Sequence, residues 1–276
     1  MPSPIKTTQR PYFDDYNESK KFHRILYRPA FAVQARELTQ SQTILQNQIE
    51  RVSDHLFEKG AMVIPGEIGF DLNYYAVKLT SKTYSSISDY IGKQITGVTS
   101  GVIGICVNAV ANNGTDPDTL YVKYNKTGTN NTSIAFSSGE TINATLIGSA
   151  SILATAVVNS TATGSAANIA AGVYYINGFH VSVTEQTLIL DKYTNTPSYR
   201  IGLTITESFV TSNDDVSLVD NAQGSSNENA PGADRFKIDL TLAKRTLTST
   251  DDANFVELLR LSNGIRLNQV TRTNYA

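Results

Sequence analysis

The chain has 276 residues and a formal net charge of −2, with 17% charged residues and a single cysteine. This length is enough for a sizeable core, the charge balance argues against nucleic acid as a partner, and one cysteine excludes a disulfide within the chain. No stretch is apolar enough for a membrane span, and the N-terminus lacks the apolar segment of a signal peptide. We therefore expect synthesis in the cytoplasm.

Residues 1–34 are predicted to form an extended docking arm. Four prolines interrupt this segment and favour extended backbone. An extended segment cannot build a core, so its aromatic side chains need another surface, either the rest of the chain or a neighbouring protein. Acidic residues offset the basic ones here, so protein docking is favoured over nucleic-acid binding. The six candidate contact residues are Tyr12, Phe13, Tyr16, Phe22, Tyr27 and Phe31.

Residues 35–60 are predicted to form one long helix, with a capping box at residues 39–42 and Gly60 as its terminating glycine. Spacings of four and three residues define a coiled-coil-like seam of six positions. We call these positions the seam: Leu38, Gln42, Leu45, Ile49, Val52 and Leu56.

Two arrangements of this helix are open at the sequence level. The seam can pack on the chain's own β-domain, or it can pack against sister chains or another subunit. The remaining surface of the helix is rich in Gln, Ser and Thr and carries few charges. A freely solvated helix face usually carries more Lys and Glu, so the second arrangement is favoured.

From residue 61 the hydrophobic period changes to two, which predicts a mainly β protein with one long N-terminal helix. We expect a β-sandwich from residues 61–92 and 150–276, with a small inserted β-barrel-like module at 93–149. Asn177-Gly178 and Asn263-Gly264 predict type I′ hairpin turns. The predicted strands lie near 61–64, 70–80, 94–98, 102–111, 119–125, 133–136, 141–147, 172–176, 179–183, 188–190, 199–211, 236–247, 255–262 and 265–270.

The cysteine, aspartate and histidine residues do not follow any sequence pattern typical of a catalytic, metal or cofactor site. Cys106 lies in an apolar run with no base nearby, so a buried side chain is expected. Asp214-Asp215 and Asp251-Asp252 lie in polar loops and are interpreted as turn formers. The three histidines lack the spacing of metal ligands: His23, His55 and His180. We expect a protein that is not an enzyme.

Four blocks of the N-terminal region carry a resemblance to a known family. The blocks are "PYFDD" (Pro11–Asp15), "FHRIL" (Phe22–Leu26), "PAFAVQARELTQ" (Pro29–Gln40) and the helix segment Ile44–Lys59. Together they resemble the N-terminal region of virion structural proteins of contractile-tailed bacteriophages, including cyanophages. Weaker similarity extends through Gly172–Val181 and Ala230–Asp234.

The resemblance implies a non-enzymatic protein of the virion, at the tail baseplate or at the baseplate-proximal root of a tail fibre. It implies a homo-oligomer, with a trimer as the expected form, and other baseplate or tail-fibre proteins as partners. The alternative is a receptor- or carbohydrate-binding tail module that uses tyrosines near residues 112–132 or 212–235, although nothing in the sequence indicates a host glycan. The chain is expected to be the N-terminal part of a longer protein.

Overall fold

The computed structural model describes residues 7–250 and 252–271, so residues 1–6 of the predicted arm and Asp251 lie outside it. Within this part, the protein is mainly β with a single α-helix near the N-terminus, as predicted. The helix α1 spans Ala35–Leu56. The strands are β1 (Met62–Ile64), β2 (Ile68–Lys82), β3 (Gln94–Gly97), β4 (Ile103–Val110), β5 (Thr119–Lys126), β6 (Thr141–Thr145), β7 (Ile152–Ile169), β8 (Gly172–Ile176), β9 (Phe179–Val183), β10 (Gln186–Asp191), β11 (Tyr199–Val210), β12 (Arg235–Thr246), β13 (Phe255–Ser262) and β14 (Ile265–Gln269).

The largest sheet has seven strands in the order β10-β7-β2-β5-β4-β3-β6, and β6 also pairs with β7. This extra pairing closes β2, β5, β4, β3, β6 and β7 into a ring. Such a ring has no free edge among its own strands. The segment predicted as an inserted module supplies β3 to β6, whereas the two strands that close the ring, β2 and β7, come from outside residues 93–149.

The closed ring, which we call the barrel, has its own apolar core. Apolar side chains from every strand of the ring are almost fully buried in this core, and β4 contributes Cys106. Burial raises the pKa of the Cys106 thiol to about 12, which keeps it protonated and unreactive at neutral pH. The expectation of a buried cysteine is therefore confirmed.

A second apolar core lies where the other sheets meet. The four-stranded sheet β12-β11-β13-β14 contributes its inward face, including Ile201, Leu203 and Leu259. The three-stranded sheet β1-β8-β9 and the ends of β2, β7 and β10 contribute the opposing side chains, including Tyr174 and Ile169. This face-to-face arrangement of sheets is that of a β-sandwich.

Two predicted hairpin turns are confirmed. Asn177 and Gly178 both have positive φ, at 48° and 88°, and they join β8 to β9. Asn263 and Gly264 join β13 to β14 with φ of 48° and 77°. Positive φ at both central residues is the requirement of the type I′ turn, and Asn-Gly meets it with little strain.

The strand predicted at residues 133–136 does not form. The Asn130 side-chain oxygen accepts hydrogen bonds from the backbone N–H groups of Thr132 (3.0 Å) and Ser133 (2.9 Å), which holds a turn here. Phe136 instead packs into the barrel core, with its ring centroid 5.1 Å from that of Tyr124. The segment is therefore a connection whose apolar residue is buried without strand pairing.

Candidate docking surface

The helix begins at Ala35, as predicted, but its capping box and its C-terminal end both lie earlier than the sequence signals suggested. The N-cap is Gln34, whose backbone N–H donates to Glu37 Oε2 at 2.9 Å, so the capping interaction lies at 34–37 and not at 39–42. The C-cap is Phe57, whose N–H bonds to the Ser53 carbonyl at 2.7 Å. Gly60, with φ of 90°, lies beyond the helix and donates to the Tyr175 carbonyl, which links the chain to β8.

The helix contacts its own β-domain mainly through polar groups. Gln46 Nε2 donates to the Gly178 carbonyl at 2.6 Å, in the turn between β8 and β9. Ser53 is buried, and its Oγ lies 3.1 Å from His180 Nε2 on β9. The side chains at positions 46 and 53 recur at a spacing of seven and therefore lie on one face of the helix.

Tyr175 of β8 anchors the same face of the helix. Its hydroxyl donates to Asp54 Oδ1 at 2.5 Å and lies 3.3 Å from the Glu50 carbonyl. Burial and the bond to Asp54 raise the pKa of the phenol well above its ordinary value. Desolvation, followed by repulsion from the nearby Asp54 carboxylate, raises the pKa of the Glu50 carboxyl.

The first part of the arm folds back onto the same chain. The Tyr12 hydroxyl donates to Asp234 Oδ2 at 2.7 Å, which raises the Tyr12 pKa to about 12, and its ring lies 4.9 Å from that of Phe209 on β11. Asp14 is buried and accepts from Thr43 Oγ1 of the helix at 2.6 Å. The arm therefore joins the helix to the sandwich at residues 12–14.

The apolar positions of the seam face solvent. Their exposed fractions run from 49% for Ile49 to 64% for Leu45, and Gln42 is exposed as well. Only Ile44 and Ser53 of this helix are buried, and neither belongs to the seam. Of the two arrangements left open by the sequence, packing of the seam on the chain's own β-domain is therefore not observed in this structure. The helix packs its polar face inward and exposes its apolar face.

The second part of the arm is also exposed and apolar. Residues 21–28 belong to no helix or strand, and no backbone hydrogen bond joins residues 22–27 to another described part of the chain. Tyr16 is half-buried, whereas Phe13 is exposed. Further exposed apolar side chains follow along this segment: Phe22, Leu26, Tyr27, Phe31 and Val33. We call these five side chains and the seam together the docking surface.

The sequence prediction named the seam and Phe22, Tyr27 and Phe31, but neither Leu26 nor Val33 of this surface and none of the contacts behind it. Heptad spacing is local, so the seam was recognisable. The polar contacts to Gly178, His180 and Tyr175 join residues more than 120 positions apart and left no sequence signal. Tyr12 was expected to contact a surface and does so within its own chain.

Other regions of the structure give weaker evidence of a functional site than the docking surface does. Among the residues placed by the structure, no three His, Cys, Asp or Glu side chains are grouped to hold a metal ion, and none of their helices is long and apolar enough to cross a membrane. A cleft of about 350 Å³ beside β10 is lined by Lys192 and Lys244, but Lys192 is paired with Asp116. Tyr121, near one loop considered for glycan binding, is fully buried.

Comparison with known proteins adds a family. No curated protein and no solved structure matches the chain. The domain of unknown function DUF4815 matches residues 129–276, which is more than half of the chain and includes the sandwich strands from β8 to β14. The match does not include the arm and the helix. On this evidence, the chain belongs to the DUF4815 family.

Proposed function

We propose that the chain is a virion structural protein of a contractile phage tail. It lies at the baseplate or at the baseplate-proximal root of a tail fibre, where it acts in assembly and attachment. The observation that carries the proposal is the orientation of α1, which turns polar side chains toward its own domain and apolar side chains toward solvent.

This orientation is unfavourable for an isolated chain. Scattered apolar residues are normal on protein surfaces, but five on one helix face and five more on the neighbouring segment form an unusual concentration. Each buried apolar side chain contributes about 1.5–3 kcal/mol on transfer from water. The arrangement gains that free energy when another protein surface covers it, which supports an assembly role.

The location of the surface within the sequence gives independent support. The blocks that resemble phage tail proteins are Pro11–Asp15, Phe22–Leu26, Pro29–Gln40 and Ile44–Lys59. These blocks contain most of the exposed side chains of the docking surface. The resemblance and the exposed apolar surface therefore coincide in the same segment, as expected if this segment attaches the protein to the virion.

Phage assembly tests the proposal directly. Mass spectrometry of purified particles from the phage that encodes this chain should detect it, and immunogold electron microscopy should place it at the baseplate end of the tail. Complementation of a phage lacking the gene should fail when the chain carries Leu26→Gln with Phe31→Gln. The control is Val216→Gln, because Val216 is an exposed apolar residue outside the docking surface.

The outcomes separate clearly. Particles that assemble and infect equally well with both variants would contradict a docking role for this surface. Absence of the chain from purified particles would reject the location in the virion. Failure of both variants, with both proteins folded by circular dichroism, would show that the effect does not depend on the docking surface.

A further inference from the structure

We infer that the seam on α1 binds the same seam on other copies of this chain, with the helices parallel and in register. This inference rests on the docking role proposed above and names the partner of one part of the docking surface. Three observations support it: the area that is exposed, the residues that flank the seam and the position of its one polar member.

The exposed area matches an interface between copies better than a small ligand contact. Five large apolar side chains that are about half to two-thirds exposed present on the order of 500 Å² of apolar surface. Stable interfaces bury about 800 Å² per partner. The seam alone falls short of that area, and the five exposed apolar side chains of the arm present about as much again. An assembly of copies that covers the seam and part of the arm reaches the required area.

The residues that flank the seam carry no fixed charge. In a parallel coiled coil these positions of one helix meet the corresponding positions of the next, so like charges there would repel identical copies. The flanking residues of this helix are Thr39, Ser41, Gln46, Gln48, Ser53 and His55. Gln46 and Ser53 already contact the chain's own β8–β9 hairpin, so the positions left to meet the next helix are Thr39, Ser41, Gln48 and His55.

The charged side chains of α1 lie away from the seam. Asp54 bonds to Tyr175, Glu50 lies beside the β8–β9 turn, and Arg36 and Arg51 pair with Asp15 and Glu18 of the arm. The helix therefore uses its charges within the chain and leaves a surface on which identical copies do not repel one another.

Gln42 selects the parallel orientation. In a parallel pair the two Gln42 side chains meet in one layer and satisfy each other's hydrogen bonds, as polar residues at core positions of coiled coils do. In an antiparallel pair centred on residue 47, Gln42 lies opposite Val52. Its amide is then buried against apolar groups without a partner, which costs about 1–3 kcal/mol. The same amide therefore disfavours the antiparallel arrangement.

The mass of the full chain in solution tests self-association. Light scattering coupled to size exclusion, at tens of micromolar, should give a whole-number multiple of the chain mass. Leu45→Gln with Ile49→Gln should give a folded monomer with an unchanged circular dichroism spectrum, since neither side chain is buried in the single chain. Its melting temperature should fall toward that of an unassociated chain and lose its dependence on protein concentration. Val216→Gln should stay oligomeric. A monomeric wild type, or an oligomer that survives the double substitution, would overturn the inference.

A cysteine introduced in place of Gln42 tests the orientation. In the parallel register the two introduced thiols face each other, so Gln42→Cys should form an interchain disulfide under mild oxidation. In the antiparallel register the Cα atoms of the two substituted positions lie about 15 Å apart along the axis, beyond the roughly 7 Å reach of a disulfide. The native Cys106 is buried and gives no background. Ser226→Cys, on an exposed loop, is the control and should remain uncrosslinked.

These results separate the inference from the proposed function. An oligomer of the Gln42→Cys variant that forms no interchain disulfide overturns the parallel register. A wild-type chain that is monomeric but is still incorporated into phage tails overturns self-association through the seam and leaves the virion role in place. A wild-type oligomer that is absent from purified particles overturns the virion role and leaves self-association through the seam in place.

Discussion

Glu140 is a buried side chain whose carboxylate oxygens are stabilised by hydrogen-bond donors and not by a cation. Its oxygens accept from the Ser100 backbone N–H and hydroxyl, both at 3.0 Å, from Thr99 N at 3.3 Å and from Ser137 N at 2.5 Å. Two loops at one end of the barrel therefore converge on one carboxylate. A buried charge is tolerated only when its acceptor sites are filled in this way.

Replacement of Glu140 by Gln is expected to lower the free energy of unfolding by about 1–3 kcal/mol, because the new NH₂ group faces donors and leaves at least one buried N–H unpaired. Urea unfolding followed by circular dichroism measures the change. Glu228→Gln is the matched control: Glu228 also accepts from a backbone N–H, that of Gly224, but on an exposed loop. Equal effects of the two substitutions would refute the role of burial.

Glu50 gives a pH-dependent prediction. Its pKa is raised in the folded protein, first by desolvation and then by Asp54. A raised pKa means that the protonated form favours folding. The stabilisation is therefore complete below the unfolded value of 4.5 and is lost as the pH rises through the folded pKa.

Glu50→Gln should thus stabilise the chain at pH 7, by less than about 1 kcal/mol because the group is largely solvent-screened. The advantage should disappear below pH 4.5, where wild-type Glu50 is neutral too. Urea titrations at pH 7 and pH 4 measure both conditions, with Glu58→Gln, an exposed neighbour of the helix end, as control. A constant difference at both pH values would show that charge is not the cause.

At the scale of elements, the attachment of α1 to the β8–β9 hairpin depends on a few polar contacts. Two adjacent tyrosines of β8 make hydrogen bonds to different parts of the chain. The Tyr175 hydroxyl bonds to Asp54 of the helix. The Tyr174 side chain lies in the sandwich core, where its hydroxyl donates to the Gly66 carbonyl at 2.5 Å. Alternation along the strand sends the two side chains to opposite faces of the sheet.

Tyr175→Phe should release the helix without unfolding the sandwich. Loss of one buried hydroxyl contact costs about 1–2 kcal/mol, so amide exchange within Ala35–Leu56 should accelerate roughly 5- to 30-fold. Tyr174→Phe should lower global stability and leave helix exchange unchanged, because the helix exchanges through its own local release. If helix exchange is unaffected by Tyr175→Phe, the hydroxyl contact does not hold the helix.

Much of the fold followed from local sequence patterns. The two Asn-Gly turns, the helix and the alternating strand at Phe236–Leu242 depend on residues close in sequence and were predicted correctly. The long strand β7 was not singled out, because its small residues, Ala, Ser, Thr and Gly, give a weak apolar pattern. The inward polar face of α1 was also missed, since its partners lie far away in sequence.

At the scale of the whole molecule, two long strands connect the two cores. In β2, Val77 and Leu79 belong to the barrel core and Ile68 belongs to the sandwich core. In β7, Val158 lies in the barrel and Ile169 in the sandwich. Because each strand is continuous, loss of packing in one core removes the hydrogen-bond partners that order the other. We therefore expect the barrel and the sandwich to unfold as one unit.

Ile142→Ala tests this coupling. Ile142 is fully buried in the barrel core, so its truncation should lower the free energy of unfolding by about 2–5 kcal/mol. If the cores are coupled, the variant shows one urea transition at a lower midpoint, and amide protection falls equally in the barrel and in β11 of the sandwich. The exposed Ile265→Ala is the control and should change stability by less than about 0.5 kcal/mol. Two transitions, with only the barrel transition shifted, would mean that β2 and β7 join two independently folding units.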